Sequence, residues 1–271
     1  MIDFKPLTLL RGEAPLLISM PHVGNVIPDE RRADYTQQAL LVEDTDWHLD
    51  RLYAFAASMG ASILGSRWSR NLIDLNRPAD GESLYPGIIA AGVCPTETFR
   101  GDAIYKPGCV PVPSEVAGRV HAYWRPYHQA LAEEIERLHS QNGAVLVWEA
   151  HAMTGTLPRM FEGLLPDLSF GTSDGETCGD DILQSVIDAT RPLRFTWVAN
   201  GHFKGGYIAR RYARPRHGVH AIQVVINKSA YMVDSAPHFW STTHSAAMST
   251  ALHTMVGAAV STLRGSAGAA H

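Results

Sequence analysis

The sequence predicts a three-layer α/β sandwich, with helices on both faces of a mixed central sheet, and three observations carry that prediction. Five short apolar runs, partly β-branched and bounded by Gly, Pro or polar residues, have the length and composition of buried strands. Stretches of helical period separate them, so that strands and helices alternate along most of the chain. Two segments, 76–113 and 154–178, are too long for plain connectors and are expected to build a site.

The elements follow in order. LLISM (16–20) is the first strand; Pro21 stiffens the chain after it and Gly24 lets it turn away. Residues 46–58 form a helix with Leu49, Leu52, Tyr53 and Ala56 on one face, Asp44 or Thr45 available as its cap and Gly60 as its stop. ASILGS (61–66) is the second strand. A long helix over 114–140 carries Ala130, Leu131, Ile135 and Leu138 on one stripe, and Pro126 must kink or divide it. AVLVW (144–148), FTWVA (195–199) and GVHAIQVVI (218–226) complete the strands, with helices over 179–189 and 241–263. The tail GSAGAAH (265–271) reads as frayed. A length of 271 residues suits one domain spanning 1–271.

Composition narrows the classes of function. An apolar content of 45% with 18% charged residues is that of a globular protein with a sizeable core. The formal charge of −4 gives no electrostatic basis for binding nucleic acid or an anionic membrane. No stretch approaches the roughly 18 apolar residues of a membrane span. Cys94, Cys109 and Cys178 are few and widely spaced, which fits free thiols in a reducing compartment. The first residues lack the pattern of a secretory signal, so a cytoplasmic location is expected.

Chemistry gathers where strands end, because ligands of α/β sheets bind outside the carboxyl ends of the strands. LLISMPHVG delivers His22 just past one strand, and VLVWEAHAM (145–153) delivers Glu149 and His151 past another, on one side of an extended chain. VEDTDWHLD (42–50) adds Glu43, Asp44, Asp46 and His48. Two imidazoles and a carboxylate are the ligand set of a catalytic zinc that keeps one position for water. In SRNLIDLNRP (69–78), Arg77 offers a fork of donors suited to a carboxylate, with Asn76 beside it. GHFKGGYIARRYARP (201–215) sets Lys204, Arg210 and Arg211 around Gly205 and Gly206, which suggests a carboxylate-binding wall.

These stretches, together with CPTETFRGDAIYKPG (94–108), PRMFEGLLPDLSFGTSDG (158–175) and FKGGYIARRYARPRHGVHAIQ (203–223), resemble the N-formylglutamate amidohydrolase (deformylase) family, in the family's order over roughly residues 15–235. The resemblance implies a zinc-carboxypeptidase-like fold and the hydrolysis of N-formyl-L-glutamate to formate and glutamate, a step of histidine degradation. It implies one divalent ion, expected to be Zn²⁺, on His22, Asp46 and His151, with Asp46 preferred to Asp44. It assigns a small carboxylate substrate as partner, held by Asn76 and Arg77, with Arg70, Lys204 and Arg210 available for its second carboxylate.

Two departures from the family pattern bear on mechanism. Where the family reads Asp-Ala-His-Ser, this chain reads Glu149-Ala150-His151-Ala152, and where family members carry a glutamate two positions past the Gln of GVHAIQ, it carries Val225. Glu149 is the expected replacement as catalytic carboxylate or as a support for a ligand histidine, with Asp44 and Glu97 as other proton carriers. A deacylase for another N-acyl amino acid, or a metal- and ligand-binding protein without turnover, are the rival readings.

Overall fold

The computed structural model describes residues 6–81, 92–235 and 238–268. Its strands in chain order are β1 (Leu7–Leu10), β2 (Leu16–Met20), β3 (Ser62–Ser66), β4 (Val145–Met153), β5 (Leu168–Gly171), β6 (Trp197–Ala199) and β7 (Val219–Asn227). The helices are α1 (Leu49–Leu52), α2 (Pro113–Arg119), α3 (Arg125–Asn142), α4 (Asp180–Thr190), α5 (Tyr207–Tyr212) and α6 (Thr242–Gly268). Among the described residues the strands make one sheet in the order β1-β3-β2-β4-β7-β5-β6. β3, β2, β4 and β7 run parallel, whereas β1 and β5 join their neighbours antiparallel, so the sheet is mixed as expected.

Burial explains which strands lie in the middle. β2 and β4 are buried at every position and β7 at nearly every one, as strands covered on both faces must be. On one face Ile18, Trp148 and Val224 pack with Leu52 of α1, Val186 of α4 and Met255 of α6. On the other, Leu17, Val147 and Ala221 meet Leu131 and Ile135 of α3 and Ile208 of α5. Toward the carboxyl end of β4 this second face turns polar, because the period of two that places Val145 and Val147 there also places Glu149 and His151.

Several expectations are corrected. The third predicted strand does not stop at residue 148 but continues to Met153, so Glu149 and His151 lie within it, fixed by pairing to β7. The predicted helix 46–58 is broken: His48 sits at φ 64° in the left-handed region, α1 makes a single turn, and a 3₁₀ turn follows over Ala54–Ala57. The 154–178 segment is not all loop, since β5 lies inside it, and FTWVA is a strand only over Trp197–Ala199. Pro126 does divide the long helix: a π turn over Val120–Trp124 separates α2 from α3, leaving the proline in the first turn of α3 where its missing N–H does no harm. The tail expected to fray from residue 265 is helical to Gly268, and residues 269–271 lie outside the described residues, as do 82–91 of the segment 76–113. No helix among the described residues is long and apolar enough to cross a membrane.

Candidate metal centre

His22, Asp46 and His151 come together from three segments. His22 follows β2 in the PHVG turn, where Gly24 is required: a Cβ there would lie 2.3 Å from the backbone carbon of Arg67. Asp46 N–H donates to the His22 carbonyl at 2.9 Å, which locks the second segment onto the first. His151 is carried by the central strand β4. The two rings stand 5.0 Å apart between centroids. Asp46 Oδ2 is 3.2 Å from His151 Nδ1 and 3.8 Å from His22 Nδ1, and a set of donor atoms, one from each residue, lies within 4.8 Å of one another. All three side chains are buried, and Asp46 Oδ1 has no hydrogen-bond partner.

The far side of each ring is held by a carboxylate. His22 Nε2–H donates to Asp74 Oδ1 at 2.8 Å, and His151 Nε2–H donates to Glu149 Oε1 at 2.7 Å. Both bonds leave Nδ1 turned toward Asp46, the arrangement by which outer carboxylates fix the tautomer of ligand histidines. Two imidazole nitrogens and a carboxylate with a spare buried oxygen fit a divalent ion.

The carboxylates are themselves anchored. Asp74 takes Arg70 Nη2 on its other oxygen at 2.6 Å and the Asn76 N–H at 2.9 Å. Burial would raise its pKa, but the charges of Arg70, His22 and Arg77 outweigh this and hold it well below the usual carboxylate range. Glu149 accepts from Asn76 Nδ2 and from the Ala209 N–H at the start of α5. Asn76 Oδ1 in turn accepts from the Ile208 N–H at 2.9 Å. Glycine at 206 is what admits Asn76 here, since a Cβ would fall 2.3 Å from its Nδ2.

The two imidazoles differ electrostatically. Burial lowers the His22 pKa, only partly offset by Asp74. Burial also works against a charged His151, yet its hydrogen bonds to Asp46 and Glu149 and their charges prevail and raise it to about 9.

The other expected residues are spread more widely. Arg70 is buried with its guanidinium 4.0 Å above the Phe99 ring. Arg77 donates to the Asn76 carbonyl at 3.0 Å while its buried Nε lacks a partner. Lys204 pairs with Asp174 at 2.8 Å on the exposed surface, and Arg210 Nε donates to the Gly205 carbonyl. Asp44 accepts from the Phe99 N–H and lies outside the group able to hold an ion, and Glu97 pairs with Arg159 at the surface. Val225 is 3% exposed, directly opposite His151 in the register and packed with Met153, Leu157 and Leu165. Sequence reasoning missed Asp74 altogether. The signal was there in the SRNLIDLNRP stretch, as an acid between two apolar residues that has to find partners once buried.

Comparison with known proteins gives the family and the fold. The family model described as N-formylglutamate amidohydrolase matches residues 14–232. An N-formylglutamate deformylase of Pseudomonas putida is 39% identical over 235 residues, covering 86% of this chain and 87% of the relative, and one of Pseudomonas aeruginosa is 40% identical over 233 residues, covering 85% and 87%. The crystal structure of an N-formylglutamate amidohydrolase from Ralstonia eutropha superposes with a TM-score of 0.80 at 26% identity, covering 93% of this chain and 97% of that one. A gene product of Agrobacterium tumefaciens, 16% identical with a TM-score of 0.74 over 95% and 96% of the two chains, shares the fold. With most of its length matched by the family model and by relatives near 40% identity, this chain belongs to the N-formylglutamate amidohydrolase family.

Proposed function

We propose that the protein is a metal-dependent deformylase that hydrolyses N-formyl-L-glutamate to formate and L-glutamate. The observation that carries this reading is the convergence of His22, Asp46 and His151 with a carboxylate behind each imidazole, in a chain of this family. A divalent ion held there, for which Zn²⁺ suits the donor set, supplies the Lewis acidity that amide hydrolysis needs. Asp74 and Glu149 act by holding the rings: each accepts an Nε2 proton and keeps Nδ1 on the side of Asp46, where it would ligate once deprotonated. Glu149, three times engaged, is in this reading a positioning residue. Arg77, with an unpaired Nε, and Arg70 supply the positive charge that a dicarboxylate substrate requires.

A second reading, a deacylase for a somewhat larger acyl group, is favoured by one observation. The position facing His151 on β7 is the isopropyl of Val225, in an apolar cluster with Met153, Leu157 and Leu165. Release of formate from N-formyl-L-glutamate by the zinc-loaded protein, alongside N-acetyl- and N-propionyl-glutamate, tests both. The first reading expects the formyl compound to be cleaved with the highest kcat/KM. No formate release would overturn it, and a higher kcat/KM on a longer acyl chain would establish the second.

A further inference from the structure

Gln223 sits in the middle of β7, one strand across from Glu149 and on the other side level with Gly171 of β5. It occupies the same face as Val225, one period of two before it, and so the same face as Glu149 and His151. The residue is only 6% exposed, yet among the described residues its side-chain amide has no hydrogen-bond partner. Neither amide atom is among the fully occluded polar atoms that lack partners, so both keep contact with open space. A buried amide left without partners is expensive unless something other than the protein satisfies it. Around the two rings, Asn76, Glu149 and Asp74 are committed to protein partners, whereas the Ser169 hydroxyl, level with Val225 on β5, shares the unpartnered state of Gln223.

The chemistry of what satisfies Gln223 follows from its surroundings. Its neighbour across the strand is the Glu149 carboxylate, which disfavours a second anion at this place. The next position on its own strand is apolar Val225, and the cationic groups Arg70 and Arg77 come from the 69–78 segment beyond the metal ligands rather than from β7. A glutamine amide offers one acceptor and two donors, which matches a neutral amide having both a carbonyl and an N–H. Gln223 is level with Glu149, two positions before the level of His151 on the same face of the sheet.

We infer that Gln223 binds the N-acyl amide of the substrate, with the substrate's carboxylates directed away from β7 toward Arg70 and Arg77. This rests on the reading of the protein as an N-acyl amino acid hydrolase. Gln223→Met keeps the length and volume of the side chain and removes its hydrogen bonding; Gln223→Glu keeps the acceptor, removes the donors and adds a charge beside Glu149, so Gln223→Met is the primary variant.

The test compares kcat/KM for N-formyl-L-glutamate and N-formyl-L-glutamine with the inhibition constant of free L-glutamate, which lacks the acyl group. Thermal unfolding shows that each variant is folded, and if Gln223→Met is not, Gln223→Glu carries the measurement. The expected result is a fall of about tenfold or more in kcat/KM on both formyl compounds, with glutamate inhibition unchanged. An equal weakening of glutamate inhibition would overturn the assignment, because Gln223 would then hold a carboxylate. So would an active wild type matched by the folded variants. A wild type silent on every N-acyl amino acid tried would instead remove the underlying reading, and this assignment with it.

Discussion

Asp74 Oδ1 stands 2.8 Å from the Nε2 of His22, and the opposite oxygen of the same carboxylate is held by Arg70. The link runs from a guanidinium through an acid to an imidazole whose free nitrogen faces Asp46. Asp74→Asn keeps the shape of the side chain and removes the charge behind His22. Zinc affinity, measured by competition with a chelator, is expected to fall roughly 10- to 100-fold, and thermal stability to fall as well because the buried Arg70 loses its counter-charge. Unchanged affinity would show that Asp74 serves Arg70 alone.

His22→Ala and His151→Ala should each abolish stoichiometric metal content while the sheet persists, because the apolar faces of β2 and β4 are packed independently of the two rings. Elemental analysis of protein purified without chelator, with circular dichroism as the check on folding, decides this. Full occupancy in both variants would end the ligand assignment.

Arg77→Met should raise KM for N-formyl-L-glutamate by about tenfold or more and leave kcat much less affected, since a lost charge-assisted bond to a bound carboxylate weakens substrate and transition state alike. Steady-state kinetics measure the split. An unaltered KM would confine Arg77 to its bond with the Asn76 carbonyl.

His128 predicts a pH dependence of stability away from the candidate metal centre. Its Nε2–H donates to the Leu75 carbonyl and its Nδ1 accepts from the Tyr212 hydroxyl, each at 2.9 Å. Burial lowers its pKa from the usual 6.5 to about 4. Between those values the unfolded chain binds a proton that the folded protein refuses. Stability is therefore full above pH 6.5 and declines as pH falls toward 4, by about 3 kcal/mol from this group. Urea titrations of wild type and His128→Gln across that window should show a shallower slope for the variant. Parallel slopes would refute the assignment.

Val225→Glu places a carboxylate opposite His151, at the position where the family resemblance sets a glutamate. In the apolar company of Met153 and Leu157 it should destabilise the fold by about 3 kcal/mol. If proton transfer limits the wild type, kcat should rise, on the order of a hundredfold. A kcat no higher than that of the wild type would show that this reaction does not use β7 for its proton.

Much of this was readable in the sequence because the central strands advertise themselves. LLISM and GVHAIQVVI are predominantly apolar at both alternating sets of positions, broken only by Ser19, His220 and Gln223, a pattern that fits strands covered on both faces, and their ends mark where polar residues gather. β1 was not readable: LTLL is a four-residue edge strand of alternating exposure, too short to stand out. β5, LSFG, is as short and is enclosed in a Pro- and Gly-rich segment. The helix over 46–58 failed at one residue, since nothing in the pattern announces that His48 turns left-handed so that Asp46 can face His22 and His151. The partners of Asn76 are long-range, and so its engagement by Glu149 and α5 was beyond any reading of local spacing.

β4 carries His151 and the acid that steadies it on a wholly buried strand, paired with β7 over its whole length and with β2 from Leu146 to Glu149. The reactive geometry is thus inherited from the scaffold, whereas residues 154–167, which precede β5, are free of strand pairing. A substitution in that loop can therefore alter which molecules are admitted without disturbing the sheet, whereas one on β4 or β7, such as the departures from the family pattern at Glu149, Ala152 and Val225, bears directly on the candidate metal centre.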